Sequence, residues 1–204
     1  MSTSTAIETD MDIRPETADP EMLYEIVDGT YVELPSMGFG SSLVAQAIFE
    51  LLSPFVRANR LGITSIEAVY HLHTLPGRQK RRPDVAFLSA GRWPLDRRIP
   101  GRGDMRAVPD LAIEVLSPED RDAEVQRKLR DYFRAGVTQV WHVRPPERAI
   151  NVFDSMAVMR RYEAEDEIDG GPIVPGFRFK VGSIFPETVE VDDEEQGHAL
   201  AELI

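Results

Sequence analysis

Glu114, Lys128 and Asp84 are the residues whose type and spacing could do chemistry together. Glu114 stands within Leu111-Ala112-Ile113-Glu114-Val115-Leu116, a run that is apolar apart from this carboxylate. Strand side chains alternate between faces, so Ala112 and Leu116 share the face of Glu114, as in a central strand covered on both sides. An unpaired carboxylate there costs about several kcal/mol and tends to take up a proton. It needs a cation, and a metal or a lysine would serve. A plain buried salt bridge, or an edge position that meets water, would explain it too.

Lys128 belongs to a helical stripe, Val125, Lys128, Leu129 and Tyr132, at spacings of i, i+3, i+4 and i+7. A helix following the Glu114 strand lays this stripe on the sheet, so Lys128 can reach the face that bears Glu114. The competing reading is a lysine snorkelling from the stripe's edge to solvent. Asp84 follows Arg82-Pro83 at the mouth of Val85-Ala86-Phe87-Leu88. Alone, such a carboxylate often only caps a turn. Paired with Glu114 it suits a hard cation such as Mg2+, which is usually held by one or two carboxylates plus waters and phosphate oxygens.

The elements that position these residues follow from pattern. Tyr24 to Leu34 carries an Asp28-Gly29 turn between short apolar runs, which predicts a hairpin. Leu43, Val44, Ala47, Ile48, Leu51, Leu52 and Phe55 define a helix over 41–59, with Ser41 or Ser42 as its cap. Alternation from Ile66 to Leu75 predicts a strand, and Val85 to Leu88 another. Residues 89–107 read as a long loop. After the Glu114 strand, Ser117 as N-cap and Pro118 at the first position predict a helix running to Ala135, closed by Gly136. Strands are expected at 137–143 and 149–153, with shorter ones at 158–162 and 178–181. The span from Leu111 to Val143 is long enough for a parallel crossover.

A length of 204 residues suits a single domain. The expected division is an acidic disordered arm over 1–20, a folded domain over 21–186 and an acidic tail over 187–204. With no cysteine there is no disulfide framework or thiolate metal site. Neither a signal peptide nor a membrane-length apolar run is evident, so a cytoplasmic protein is expected. The net charge of −12 seems unsuited to nucleic acid, yet its distribution is uneven. Between Arg78 and Arg106 nine basic residues face three acids, and Arg78, Lys80, Arg81 and Arg82 are candidate phosphate contacts. A solvated arginine-rich loop is the plain alternative.

Several segments together resemble the Uma-two family of restriction-endonuclease-like proteins, within the PD-(D/E)XK nuclease superfamily. They are Arg82-Pro83-Asp84-Val85-Ala86-Phe87, then Pro109 through Pro118, Lys128, Tyr132, Ala135-Gly136-Val137 and Val140-Trp141. The hairpin Tyr24-Glu25-Ile26-Val27-Asp28-Gly29 also matches the family's N-terminal signature, and the likeness covers roughly residues 22 to 185. It implies an α/β fold: a mixed β-sheet flanked by helices, with an N-terminal β-hairpin. It also implies a Mg2+ or Mn2+ site in which Asp84 is the first catalytic acid and Glu114 the second. The superfamily's lysine normally stands two residues past the second acid, where this chain has Leu116; in this family it is displaced to the following helix, where Lys128 stands. Glu25 would be an accessory acid. The family's histidine near the start of the first helix is missing, since Gly40-Ser41-Ser42 stand there. His71 and His73 share a strand face but are better explained as a polar face than as metal ligands.

The expected activity is metal-dependent endonucleolytic hydrolysis of DNA, by a homodimer if both strands are cut. The rival expectations are a nuclease-fold protein that only binds or regulates, and an RNA or small-molecule phosphodiesterase.

Overall fold

A computed structural model describes residues 22–101 and 103–186. The acidic arm and tail expected at the two ends lie outside the described residues. The chain opens with the expected hairpin, β1 (Tyr24–Val27) and β2 (Thr30–Glu33). Asp28 and Gly29 both take positive φ at its turn, as the tight hairpin geometry requires. Helix α1 (Phe39–Ala58) starts two residues before the expected helix. Gly38 is its N-cap rather than Ser41 or Ser42, and the Ser42 hydroxyl instead donates to the Phe39 carbonyl inside the first turn.

The strand expected over 66–75 is displaced. Strand β3 spans Gly62–Ile66, the chain breaks at Glu67 with φ of 46°, and only Tyr70–His71 pairs afterwards as β4. The rest of that stretch closes on itself, with the Leu75 amide donating to the Leu72 carbonyl. Strands β5 (Lys80–Arg81) and β6 (Val85–Ser89) lead to the long loop. Beyond it come β7 (Leu111–Val115), α2 (Asp122–Ala135) and β8 (Gln139–Arg144). Helix α2 begins later than expected because the Ser117 hydroxyl is used in a local turn. The Glu119 amide donates to it, while the Ser117 amide donates to the Asp120 carboxylate at 2.7 Å. Gly136 closes α2 in the left-handed conformation, as its sequence position predicts. Strands β9 (Ala149–Ser155), β10 (Val158–Tyr162), β11 (Glu167–Asp169) and β12 (Arg178–Lys180) complete the described chain.

The main sheet is six-stranded and mixed, in the order β10-β9-β8-β7-β6-β3, with β7 and β8 parallel across α2. Alternation sorts its side chains. Val85, Phe87, Leu111, Ile113, Trp141 and Val143 pack against Val44, Ile48, Leu52 and Val56 of α1, and against the β11–β12 ribbon. The opposite face presents Ala86, Ala112 and Val140 to Leu129, Tyr132 and Ala135 of α2. A second sheet, β2-β1-β5-β4, reaches this second core through Tyr70 of β4. Among the described residues α1 is the one helix long and apolar enough to cross a membrane, and its buried side packs on the sheet.

Gly62 shows how tightly the edge is built. A Cβ there would lie 2.1 Å from the Leu88 carbonyl oxygen and 2.8 Å from the Ser89 Cα, both in the paired strand β6. Backbone cannot yield as a side-chain tip does, so Gly62→Ala is expected to cost about 2 kcal/mol or more in urea unfolding. Gly40→Ala, in open space within α1, should instead add about 0.5 kcal/mol.

Candidate functional site

On the α2 face of the main sheet, three neighbouring strands each contribute a titratable side chain. Strand β6 pairs Val85 with Ile113 of β7, so the next step of the same antiparallel register sets Asp84 beside Glu114. On the other side Glu114 lies opposite His142 of β8. Asp84 also locks the strand mouth, accepting the Val115 amide on Oδ2 at 2.6 Å.

Glu114 is buried, only 5% exposed, and both its oxygens are bonded by α2. The Tyr132 hydroxyl donates to Oε1 at 2.5 Å and the Lys128 ammonium donates to Oε2 at 2.8 Å. These donors come from one helical stripe, as the i, i+4 spacing of 128 and 132 predicts. The small sheet closes the site from the far side. Its register, Ile26 opposite Lys80, brings Glu25 beside Arg81. Glu25 Oε2 accepts from Arg81 Nη1 at 2.7 Å, Oε1 accepts the Arg82 amide at 2.9 Å, and Oε1 lies 3.3 Å from Lys128 Nζ. Arg81 also donates to Asp131 of α2, tying the small sheet to that helix.

The structure therefore brings Glu25, Asp84, Glu114 and Lys128 together. The expected phosphate contacts divide. Lys80 is 4% exposed and paired with Asp104 at 2.6 Å, while Arg81, 5% exposed, is enclosed between Glu25 and Asp131. Both charges are thus spent inside the protein rather than offered at its surface, where Arg78 is exposed. Arg82 is half-buried and donates to the Glu67 carbonyl at 2.7 Å. Three site residues escaped the sequence reading: Asp131, Tyr132 as a donor, and His142. The helical stripe held Tyr132, whereas Asp131 lies outside it, and only the small sheet's position shows what it faces. His142 could be reached only through the β7–β8 register.

Four carboxyl groups, of Glu25, Asp84, Glu114 and Asp131, surround two cations, Lys128 and Arg81. Burial and the charge of Glu114 push the Asp84 carboxyl up to about 8, despite Lys128 and the Val115 amide. Burial also raises Glu114, with Lys128 pulling it back and Glu25 pushing it further. Glu25 goes the other way: burial raises it, but Lys128 and Arg81 outweigh burial and hold it below the usual range. Burial would strip the proton from Lys128, yet Glu114, Glu25 and Asp84 more than reverse this, so it stays an ammonium. His142 is lowered to about 4 by burial and by Lys128 and Arg144, so it is neutral.

Among the described residues no three His, Cys, Asp or Glu side chains converge closely enough to hold an ion by themselves. The oxygen-only pair Asp84 and Glu114, with Asp84 deprotonated, would fit a cation that keeps several waters, as Mg2+ does. The chemistry of the donors fits a hard divalent ion.

A mixed sheet flanked by two helices, with two acids and a lysine on one face, defines an α/β protein with a buried charged cluster. The model of the Uma2 family, described as putative restriction endonuclease, matches residues 10–182, and the chain belongs to that family. Among solved structures it is similar to a putative nuclease belonging to DUF820 from Anabaena variabilis. The TM-score is 0.68 at 16% identity, covering 79% of this chain and 89% of the other, which shows a shared fold. No curated protein matches the chain.

Asp84 yields a pH prediction. Its folded carboxyl titrates at about 8 against an ordinary 3.8, so between those values the folded state binds more protons than the unfolded one. Stability of the metal-free protein should therefore fall, through this group, as pH rises from about 4 to 8. Asp84→Asn keeps an acceptor for the Val115 amide and removes the charge. By scanning calorimetry near pH 9 without divalent ions, it should raise the midpoint by about 2–4 °C, the shift that ~1 kcal/mol gives at this size.

Proposed function

We propose that this protein hydrolyses phosphodiester bonds in DNA with Mg2+ or Mn2+ held by Asp84 and Glu114. The observation that carries this reading is two carboxylates from separate strands side by side on one sheet face, with Lys128 bonded to the second. Bound there, the ion supplies a more acidic water and offsets charge on the scissile phosphate. Lys128, a fixed ammonium, works as a donor to the water or to a phosphate oxygen rather than as a base. Tyr132 and Glu25 hold Glu114 and Lys128 in place. Arg81 ties Glu25 to α2 through Asp131, so the small sheet cannot drift from the acids. Cutting both strands would use two copies about a two-fold axis.

Both Glu114 oxygens are already bonded inside the protein, which favours a second reading: a nuclease-fold protein that binds or regulates nucleic acid without cutting it. Calorimetric titration separates the two readings. The catalytic one expects Mn2+ binding that disappears in Asp84→Ala, and the other expects no binding by the wild type.

Plasmid and oligonucleotide substrates in Mg2+ or Mn2+ test the activity. Glu114→Gln and Lys128→Met should each lower the cleavage rate by about 10²–10³-fold or more. Equal behaviour of wild type and Glu114→Gln on every substrate would sink the catalytic reading.

A further inference from the structure

The loop between β6 and β7 encloses a cleft that the acid cluster does not use. Tyr24, Lys80, Trp93, Arg97, Arg98 and Arg106 are among the residues lining about 610 Å³ of space. Strand alternation places Tyr24 and Lys80 on the face of the small sheet opposite Glu25 and Arg81. The cleft therefore backs onto the acid cluster through the β1–β5 ladder without sharing its side chains.

Its chemistry is planar and cationic. The Arg97 guanidinium carbon lies over the Trp93 ring, 3.8 Å from its centroid. Trp93 is 4% exposed, and its indole Nε1 is buried with no acceptor among the described residues. Across the cleft Tyr24 stacks on Tyr31 at 5.1 Å and 23°. Lys80 is paired with Asp104, whereas Arg97 and Arg98 are exposed and have no carboxylate partner among the described residues. The depth is thus compensated and the rim is positively charged.

A cationic rim alone would suit any polyanion, including a duplex. The stacked plane narrows the choice. Trp93 is too buried to stack a base itself, but the exposed Arg97 lies over its ring, and nucleobases stack on guanidinium planes as they do on aromatic rings. A duplex hides its base faces in its own stack, and only unpaired nucleotides can offer one. We propose that this cleft binds a single-stranded DNA segment, with a base on Arg97 and a phosphate on Arg98. The protein is then selective for DNA with unpaired nucleotides beside the site of action. The proposal rests on the nucleic-acid reading of the acid cluster, but its test reads binding alone.

Fluorescence anisotropy of a labelled 12-nucleotide strand, with chelator and no divalent ion, measures binding independently of hydrolysis. A duplex of the same sequence and a strand with consecutive abasic positions are the comparisons, all at one salt concentration. The single strand should bind about tenfold or more tighter than either comparison. Arg97→Lys keeps the charge and loses the plane, and should weaken single-strand binding about tenfold while changing duplex binding less than twofold. Equal binding of duplex, or of the abasic strand, or an unchanged affinity in Arg97→Lys, would overturn the proposal. Absence of cleavage with intact single-strand binding would count against the catalytic reading alone.

Discussion

A carboxylate held inside a sheet is tolerated only if the protein brings charge to it, and the pairing of Glu114 with Lys128 and Tyr132 meets that demand. The cost of leaving such a group unpaired in low dielectric is several times ~1 kcal/mol, comparable with the whole stability of a domain. The consequence is architectural. Helix α2 must cross directly over β7, and its stripe must end in polar atoms just where the strand's own apolar face is interrupted. The parallel step from β7 to β8 provides the crossover that sets it there.

That first pairing leaves charges which a second layer absorbs. Lys128 also meets Glu25, Glu25 meets Arg81, and Arg81 meets Asp131, back on α2. The chain of contacts closes on the helix where it began. A two-residue strand such as β5 has few ladder bonds of its own. It is anchored by Arg81 between two carboxylates rather than by hydrogen-bonded length. The small sheet therefore acts as the wall of the site, and the same ladder that turns Arg81 inward turns Lys80 toward the cleft on its other face.

Asp84 stands apart in this network. Burial and the charge of Glu114 hold its proton to about 8, against the pull of Lys128 and of the Val115 amide. A carboxylate placed beside another with no cation of its own is unfavourable for folding, and natural chains keep such positions where function uses them. This placement, with membership of a family described as putative restriction endonuclease and a fold shared with a putative nuclease, sets the direction of the functional reading.

Much of this was legible before any coordinates. The hairpin followed from Asp28-Gly29, α1 and α2 from their period, and the end of α2 from Gly136, because each depends on residues close in sequence. Helix starts were less legible, since Ser117 and Ser42 satisfy their hydroxyls in local turns and do not cap. Strands β5 and β11 were missed, being only two and three residues long, and the strand expected over 66–75 falls instead at β3 and β4. Glu114 declared itself by a carboxylate in an apolar strand, and Lys128 by its place in a helical stripe. Their meeting, the inward turn of Arg81, and the places of Asp131 and His142 were decided only by tertiary structure. Charge–charge contact depends on strand register and on which face a sheet presents to its neighbour. A local pattern carries the need of Glu114 for a cation, whereas only the assembled sheets determine which cations answer it and which stay free for a ligand.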